Sequence, residues 1–190
     1  MSMKSLDVIR DEHRALAAML SGMRTIVQGI EAGRLKPDYD LLASMIEYID
    51  KVPEKVHHPK ENEYLFAKLR LRCAAALPVI EALEEEHRLG EARIATLRAA
   101  LEDYRQQGET GFAAFSDALR IYIADEWYHM NTEEGQILPL AKAHLTEEDW
   151  VEIDAAFLAN DNPWQGPAGE YAALFSRIVN TAPSPVGLGG

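Results

Sequence analysis

The sequence predicts an all-α protein, an antiparallel up-down-up-down four-helix bundle with additional C-terminal helices. Apolar residues recur at alternating steps of three and four through most of the chain, which is the spacing of a helix face packed on a core. Glycine and proline interrupt this pattern at short intervals, and no stretch shows the two-residue alternation of a strand. Amphipathic helices joined by short connections favour an antiparallel bundle.

Residues that end helices separate the four long helices. Gly33 and Pro37 follow the first, and Pro78 is suited to the first turn of the third. The second is the least regular, because Pro53 and Pro59 fall inside its pattern, where proline kinks a helix or forces a bulge. The predicted helices cover residues 6–30, 38–69, 78–104 and 112–140.

A helical extension is predicted after the bundle. Thr146 is a suitable N-cap, and the acidic residues after it favour the first turn of a helix that reaches about Ala159. A turn rich in proline and glycine precedes a last helix over about 170–180. We therefore expect a bundle domain over 1–142, a helical extension packed on it over 143–182, and a disordered tail over 183–190.

Charge and composition exclude several classes of partner. The 190 residues include 31 acidic and 19 basic ones, for a net charge of -12, which disfavours binding to nucleic acid or to an anionic membrane. The single cysteine, Cys73, excludes an intrachain disulfide. Apolar runs stay well short of the ~20 residues that span a bilayer, and the N-terminus lacks a signal-peptide pattern. We expect a cytoplasmic monomer or homodimer.

Two His-x-x-x-Glu units indicate a metal site. His57 and Glu61 form one unit, and His129 and Glu133 form the other. On a helix of about 3.6 residues per turn, both side chains of a unit leave the same face and can reach one ion. Either unit alone is weak, since such pairs are common on solvated helix faces.

The positions of four histidines strengthen this prediction. His13, His87 and His129 fall on apolar stripes, where ionisable groups are costly unless something compensates them. With a rise of about 1.5 Å per residue and alternating chain direction, they reach a similar depth in the bundle as His57. The candidate ligands are His13, His57, Glu61, His87, His129 and Glu133.

Imidazole and carboxylate ligands suit iron, manganese or zinc, and six are too many for one tetrahedral zinc. We therefore predict a di-metal centre with open positions for oxo, hydroxo or a small diatomic ligand. Glu91, one turn after His87, is a further candidate ligand, with Gly90 leaving space beside the site. Glu126 is a candidate for orienting an imidazole. His58 is about 100° around the helix from His57 and is expected at the rim of the site.

These residues resemble the four ligand segments of the hemerythrin-like (HHE cation-binding) domain family, in their order and spacing. The segments are 11–14, 57–61, 86–88 and 129–134, and the resemblance covers about residues 5–142. It implies a four-helix bundle around a non-haem di-iron site bridged by two glutamates and an oxo or hydroxo group. Carried over by position, the ligands are His13, His57, Glu61, His87, His129 and Glu133.

Two departures from the oxygen-carrying hemerythrins bear on function. Those proteins have a second histidine where this chain has Glu91, and an aspartate five residues after the last histidine where this chain has Glu133 at four. The pattern is more similar to bacterial di-iron proteins linked to repair of iron centres and nitrosative stress, and to HHE proteins that sense iron or oxygen. One fewer imidazole and one more oxyanion should favour ferric iron and disfavour reversible oxygen carriage.

The resulting hypothesis is a di-iron protein that handles or senses O2, NO, peroxide or iron, with a diatomic molecule or peroxide as its small-molecule partner. One alternative is a di-iron enzyme that decomposes peroxide or repairs iron centres. Another is an interaction protein with a structural metal, in which the helices from Thr146 onward form a docking surface. Manganese and zinc accept the same side chains, so the sequence leaves the metal open.

Overall fold

The computed structural model of the protein describes residues 3–159 together with the single residues 173 and 176. Every regular element in this part of the chain is helical, and none of it is strand, which confirms the all-α prediction. Apart from those two single residues, the helix expected over 170–180 and the tail expected over 183–190 lie outside the described residues.

Long α-helices alternate with shorter helical segments. Three π-helical segments, in which the backbone pairs i to i+5, span Asp50–His57, Glu61–Phe66 and Glu133–Ile137, and a 3₁₀ turn spans Ala74–Ala76. The α-helices are α1 (Lys4–Glu31), α2 (Tyr39–Ile49), α3 (His58–Lys60), α4 (Ala67–Arg72), α5 (Leu77–Gln107), α6 (Glu109–Thr132), α7 (Leu138–His144) and α8 (Glu147–Leu158).

The irregularity expected around Pro53 and Pro59 takes the form of π turns. Pro53 lies inside the first π segment, and Pro59 lies in α3, between the first and second. Proline has no N–H to donate to the carbonyl four residues before it, so one hydrogen bond of the α-helix is missing at each proline. The wider π turn accommodates this missing hydrogen bond. The third π segment precedes Pro139, which cannot donate to the carbonyl of Gly135, whereas the sequence predicts regular helix in this stretch.

Local signals explain the ends of several helices. Gly33 and Gly108 adopt φ values of 67° and 61°, which favour glycine, just after α1 and α5. Thr146 caps α8 as predicted, because its hydroxyl accepts from the Asp149 N–H at 3.3 Å. The Asp149 carboxylate accepts in return from the Thr146 N–H at 3.0 Å, completing a capping box.

The core consists of two apolar clusters with a polar layer between them. One cluster joins the C-terminal half of α1 to α2, α5 and α6, and the other joins the start of α1 to α4, α7, α8 and the start of α5. In each of the stretches 4–31, 39–72, 77–107 and 109–144, a histidine lies between residues of the two clusters. This places the histidines at a common depth, as the sequence predicted.

Helix α8 packs on the start of α1. Trp150, Ile153 and Phe157 are buried in the second apolar cluster. The Ser5 backbone N–H and hydroxyl both donate to Asp154 Oδ1, at 2.8 and 2.6 Å. None of the helices in the described part of the chain combines the length and the apolarity needed to cross a bilayer.

Candidate metal centre

The polar layer contains two groups of candidate ligands that share a residue. The first group is His13, His57, Glu61 and Glu133, and the second group is His58, Glu61, His87 and His129. Within each group, one ligand atom from every residue lies within 4.8 Å of those of the others. All of these side chains are buried, and Glu61 and Glu133 have no exposed surface.

Imidazole nitrogens face each other in both groups. His13 Nε2 lies 3.2 Å from His57 Nε2, and His87 Nε2 lies 3.0 Å from His129 Nε2. Two nitrogens that bind one ion at about 2.1 Å and at right angles to each other are about 3.0 Å apart. Both pairs therefore have the spacing of neighbouring ligands on a single ion.

The two glutamates connect the groups. Glu61 places Oε1 3.2 Å from His57 Nε2 and Oε2 3.7 Å from His87 Nε2. Glu133 places Oε2 3.2 Å from His13 Nε2 and Oε1 3.3 Å from His129 Nε2. Each carboxylate thus directs one of its two oxygens toward the first group and the other oxygen toward the second group. A carboxylate that bridges two ions has this geometry.

Acceptors on the outer side of the imidazoles determine which nitrogen carries the proton. A carboxylate or amide oxygen can only accept, so the Nδ1 atom that contacts it is the N–H donor. The neutral ring then presents the lone pair of Nε2 to the centre of the layer. The outer contacts are His13 Nδ1 to Glu134 at 3.0 Å, His57 Nδ1 to Glu12 at 2.6 Å, and His87 Nδ1 to Asn62 at 2.8 Å.

The four oxygens of Glu61 and Glu133 test whether the layer fits a metal centre. All four are buried without a hydrogen-bond partner. Imidazole nitrogens lie 3.2–3.3 Å from three of these oxygens and compensate the two carboxylates only in part. Burial of two carboxylates side by side is unfavourable, and cations between them and the imidazole lone pairs would lower that cost. The donor set, nitrogen and oxygen without sulfur, suits iron, manganese or zinc. The residues present therefore fit a di-metal centre.

Protons and metal ions compete for this layer. Burial, together with the imidazoles of His58 and His129, lowers the pKa of His87 to about 2, so this ring is neutral. Burial alone would lower the pKa of His129. The carboxylate of Glu133 outweighs the effect of burial, so that the pKa of His129 is raised to about 9. Burial likewise lowers the pKa of His57, but the carboxylates of Glu61 and Glu12 raise it well above its usual value.

The structure brings His58 into the second group, whereas the sequence interpretation placed it at the rim. Only 5% of this residue is exposed, and its ring stacks on that of His87 with centroids 4.2 Å apart. The 100° separation from His57 assumes a regular α-helix, but π turns on both sides place more residues in each turn and turn both histidines inward. Tandem histidines between Pro53 and Pro59 are the sequence signal for this arrangement.

Glu91 belongs to neither group and lies on the exposed face of α5. The buried positions that follow His87 are Gly90 and Ile94, at i+3 and i+7, so the residue at i+4 turns outward. Glu91 is therefore not brought to the centre, whereas His58 adds a third imidazole there, so the count of one fewer imidazole no longer disfavours oxygen carriage.

The remaining expectations concern residues around the groups. Gly90 does leave space, but the carboxylate of Glu54 fills it. Glu126 is 4% exposed, and its charge raises the pKa of His129. His144 is exposed. Sequence reasoning missed the supporting residues Glu12 and Asn62, as well as Glu134, because polar residues on a helix are indistinguishable in sequence from a solvated face.

A small cavity adjoins the first group. Its volume is about 10 Å³, which is the space of roughly one water-sized molecule. The residues that line it are Glu12, His13, Leu16, Val52, Pro53 and His57.

Comparison with known proteins identifies the family. A family model described as the hemerythrin HHE cation binding domain matches residues 4–141. Neither the curated proteins nor the solved structures include a match to the chain. The family match spans well over half of the chain and contains every residue of both ligand groups. The chain belongs to the hemerythrin HHE cation-binding domain family.

Proposed function

We propose that the protein binds two iron ions, one in each ligand group, and uses them to handle or sense a small molecule, namely O2, NO or peroxide. The observation that carries this proposal is the sharing of Glu61 and Glu133 between two facing pairs of imidazoles. His13 and His57 would hold the first ion, and His87 and His129 the second. A pair of irons supplies reversible electron transfer and an exchangeable ligand position.

The protein side chains prepare the layer for this role. The outer acceptors Glu134, Glu12 and Asn62 keep a proton on Nδ1 of their imidazoles, so that each Nε2 is available as a ligand. The apolar clusters above and below exclude water from the layer. Exclusion of water strengthens every charge interaction within it.

The size of the cavity supports a small ligand. About 10 Å³ beside His13 and His57 is the space of roughly one water molecule, which is too little for an organic substrate and favours a ligand of very few atoms. Leu16 and Val52 give the cavity an apolar wall, which suits an uncharged ligand such as O2 or NO.

The surrounding fold that we propose is the antiparallel up-down-up-down bundle over 1–142, with the C-terminal extension packed on it. Packing of α1 on α2, α2 on α5, α5 on α6 and α6 on α1 supports this topology. The extension begins with α8, which contacts α1.

The test is the metal content and optical spectrum of protein expressed in iron-rich medium, recorded before and after addition of NO or peroxide. We expect about two irons per chain and near-ultraviolet charge-transfer bands that change with the added ligand. His144→Ala, at an exposed histidine, is the matched control and should behave as the unaltered protein.

Other outcomes would change the assignment. One zinc per chain, or no metal and no spectral response, would contradict the proposal and favour a structural metal or an interaction role. Continuous consumption of peroxide over many turnovers would instead identify a di-iron enzyme.

A further inference from the structure

The tandem histidines divide between the two ligand groups. His57 belongs to the first group, and His58, the next residue, belongs to the second. His58 stacks on His87 with an interplanar angle of 11°, and its ring centroid lies 5.0 Å from that of His129. Because an imidazole nitrogen binds an ion in the plane of its ring, the His58 ring must tilt out of this stack to share an ion with His87. A histidine at this place gives the second group three imidazoles, against two in the first.

Glu54 contacts the outer edge of His58. Its Oε2 atom lies 3.3 Å from His58 Nδ1, and the Glu54 side chain is 6% exposed. With Nδ1 turned toward this carboxylate, Nε2 is the nitrogen left for the second group. This contact lies within ion-pair distance but is not a hydrogen bond, since His58 Nδ1 is buried without a hydrogen-bond partner. By contrast, Nδ1 of His13, His57 and His87 each contacts an oxygen acceptor at 2.6–3.0 Å.

Two other helices hold Glu54 against His58. On α5, Gly90 has no side chain where a Cβ atom would overlap the Glu54 carboxylate. On α6, the Tyr122 hydroxyl donates to Glu54 Oε1 at 3.3 Å. Tyr122 therefore holds one oxygen of the carboxylate, and Gly90 leaves the space in which the other oxygen lies 3.3 Å from His58 Nδ1.

We propose that His58 is the third imidazole ligand of the second iron and that Glu54 is the residue that positions it. This inference rests on the di-iron function proposed above. The second ion then has one more imidazole than the first, although both share the carboxylates of Glu61 and Glu133. The third imidazole comes from the helical stretch that already supplies His57, and α5 supplies only His87.

The first experiment removes the imidazole. His58→Ala and the bulkier His58→Gln are compared with His144→Ala by metal analysis during chelator titration and by Mössbauer spectroscopy of iron-57 protein. We expect both His58 variants to lose one iron at a chelator concentration at least tenfold lower than the control needs. The signal of the second iron should be lost or shifted, and that of the first iron should remain.

The second experiment addresses Glu54. Glu54→Ala should weaken binding of the second iron by about 10- to 100-fold, the range for loss of a residue that orients a metal-bound imidazole. Glu54→Gln keeps an acceptor oxygen and should recover most of that affinity. An equal effect of Glu54→Ala on both irons, or no recovery in Glu54→Gln, would overturn the positioning role.

Folding and the parent proposal are separated by controls. Thermal melting of the metal-free variants identifies any that fail to fold, and His58→Gln fills the space if His58→Ala does not fold. Two irons bound with unchanged affinity and spectrum in a folded His58 variant would overturn this inference and leave the di-iron proposal intact. Fewer than two irons in the unaltered protein would overturn both.

Discussion

Helix α5 and the helical stretch over residues 39–72 border the same polar layer but contribute to it unequally. Helix α5 is a regular α-helix over Leu77–Gln107, and it contributes a single candidate ligand, His87. The stretch over 39–72 contains two π segments and contributes three, together with the supporting residues Glu54 and Asn62. Its candidate ligands are His57, His58 and Glu61.

The difference shows how helix geometry sets the number of ligands. In a regular helix only positions near i, i+3, i+4 and i+7 share a face, so the inward neighbours of His87 are Leu83, Gly90 and Ile94. A π turn holds more residues, and the adjacent His57 and His58 can both face inward. Candidate ligands lie at the boundary of each π segment, namely His57 at the end of the first, Glu61 at the start of the second and Glu133 at the start of the third.

The largest expected effect on iron binding comes from removing a carboxylate that both ions share. Helix α5 supplies no such carboxylate. Glu133→Ala should lose at least one iron and lower the melting temperature of the iron-loaded protein, because bound metal stabilises the folded state. Metal analysis and thermal unfolding measure both effects. Glu91→Ala is the control on α5, since Glu91 is exposed. Full iron occupancy with unchanged melting in Glu133→Ala would contradict the assignment.

The pKa values of His87 and His129 predict how stability depends on pH in the chelator-treated protein. The pKa of His129 is raised to about 9, so its stabilising effect is complete below about 6.5 and disappears as the pH rises toward 9. His57 shifts in the same direction, while His87, with a pKa of about 2, does not titrate in this range. We expect a loss of roughly 1–3 kcal/mol in the free energy of unfolding between pH 6.5 and 9.

Urea unfolding at a series of pH values measures this loss. His129→Gln should reduce the dependence between pH 6.5 and 9, whereas His87→Gln should retain it. A free energy of unfolding that stays constant or rises over this range would show that the buried carboxylates do not hold protons on these imidazoles.

Gly90→Ala tests the part that α5 plays in supporting the neighbouring stretch. The added Cβ would displace the Glu54 carboxylate, which should lower the free energy of unfolding by about 1–3 kcal/mol. It should also weaken binding of the second iron more than binding of the first. Gly135→Ala is the control, since a Cβ there meets no atom within 4 Å. Chelator titration and thermal unfolding of both variants would reveal the difference, and equal behaviour would argue against a role for Gly90.

The smallest expected effect comes from Pro59→Ala. Pro59 is exposed, so its removal costs little packing, but it restores an N–H that permits regular α pairing in this stretch. We expect the free energy of unfolding to fall by less than about 1 kcal/mol and the second iron to bind more weakly. Pro78→Ala, in the first turn of the regular α5, should leave iron binding unchanged. An unaltered iron affinity in Pro59→Ala would show that the proline does not maintain the inward position of His58.

Sequence reasoning identified what depends on regular periodicity. His13, His87 and His129 were recognisable because each is a polar residue on an apolar stripe, and all three reach the polar layer. Thr146 was recognisable as a cap from the acidic residues after it, and the structure confirms the capping box.

Features that depend on departures from regular helix geometry were not predictable in the same way. The prolines predicted that the stretch over 39–72 would be irregular, but not that π turns would bring His58 inward. Glu91 was a candidate because it lies one turn after His87. The buried face of α5 instead passes through Gly90 and Ile94, so Glu91 is exposed. Glu12, Asn62 and Glu134 act on imidazoles of other helices, and such pairing depends on tertiary contacts that a single sequence does not reveal.

The most direct test of the central claim is anomalous diffraction at the iron edge from crystals of the iron-loaded protein. We predict two iron peaks in the polar layer, about 3.5–4 Å apart, one beside His13 and His57 and the other beside His87 and His129. Glu61 and Glu133 should each contact both peaks. A single peak, or peaks at surface carboxylates with the polar layer free of iron, would contradict a di-iron centre bridged by the two glutamates.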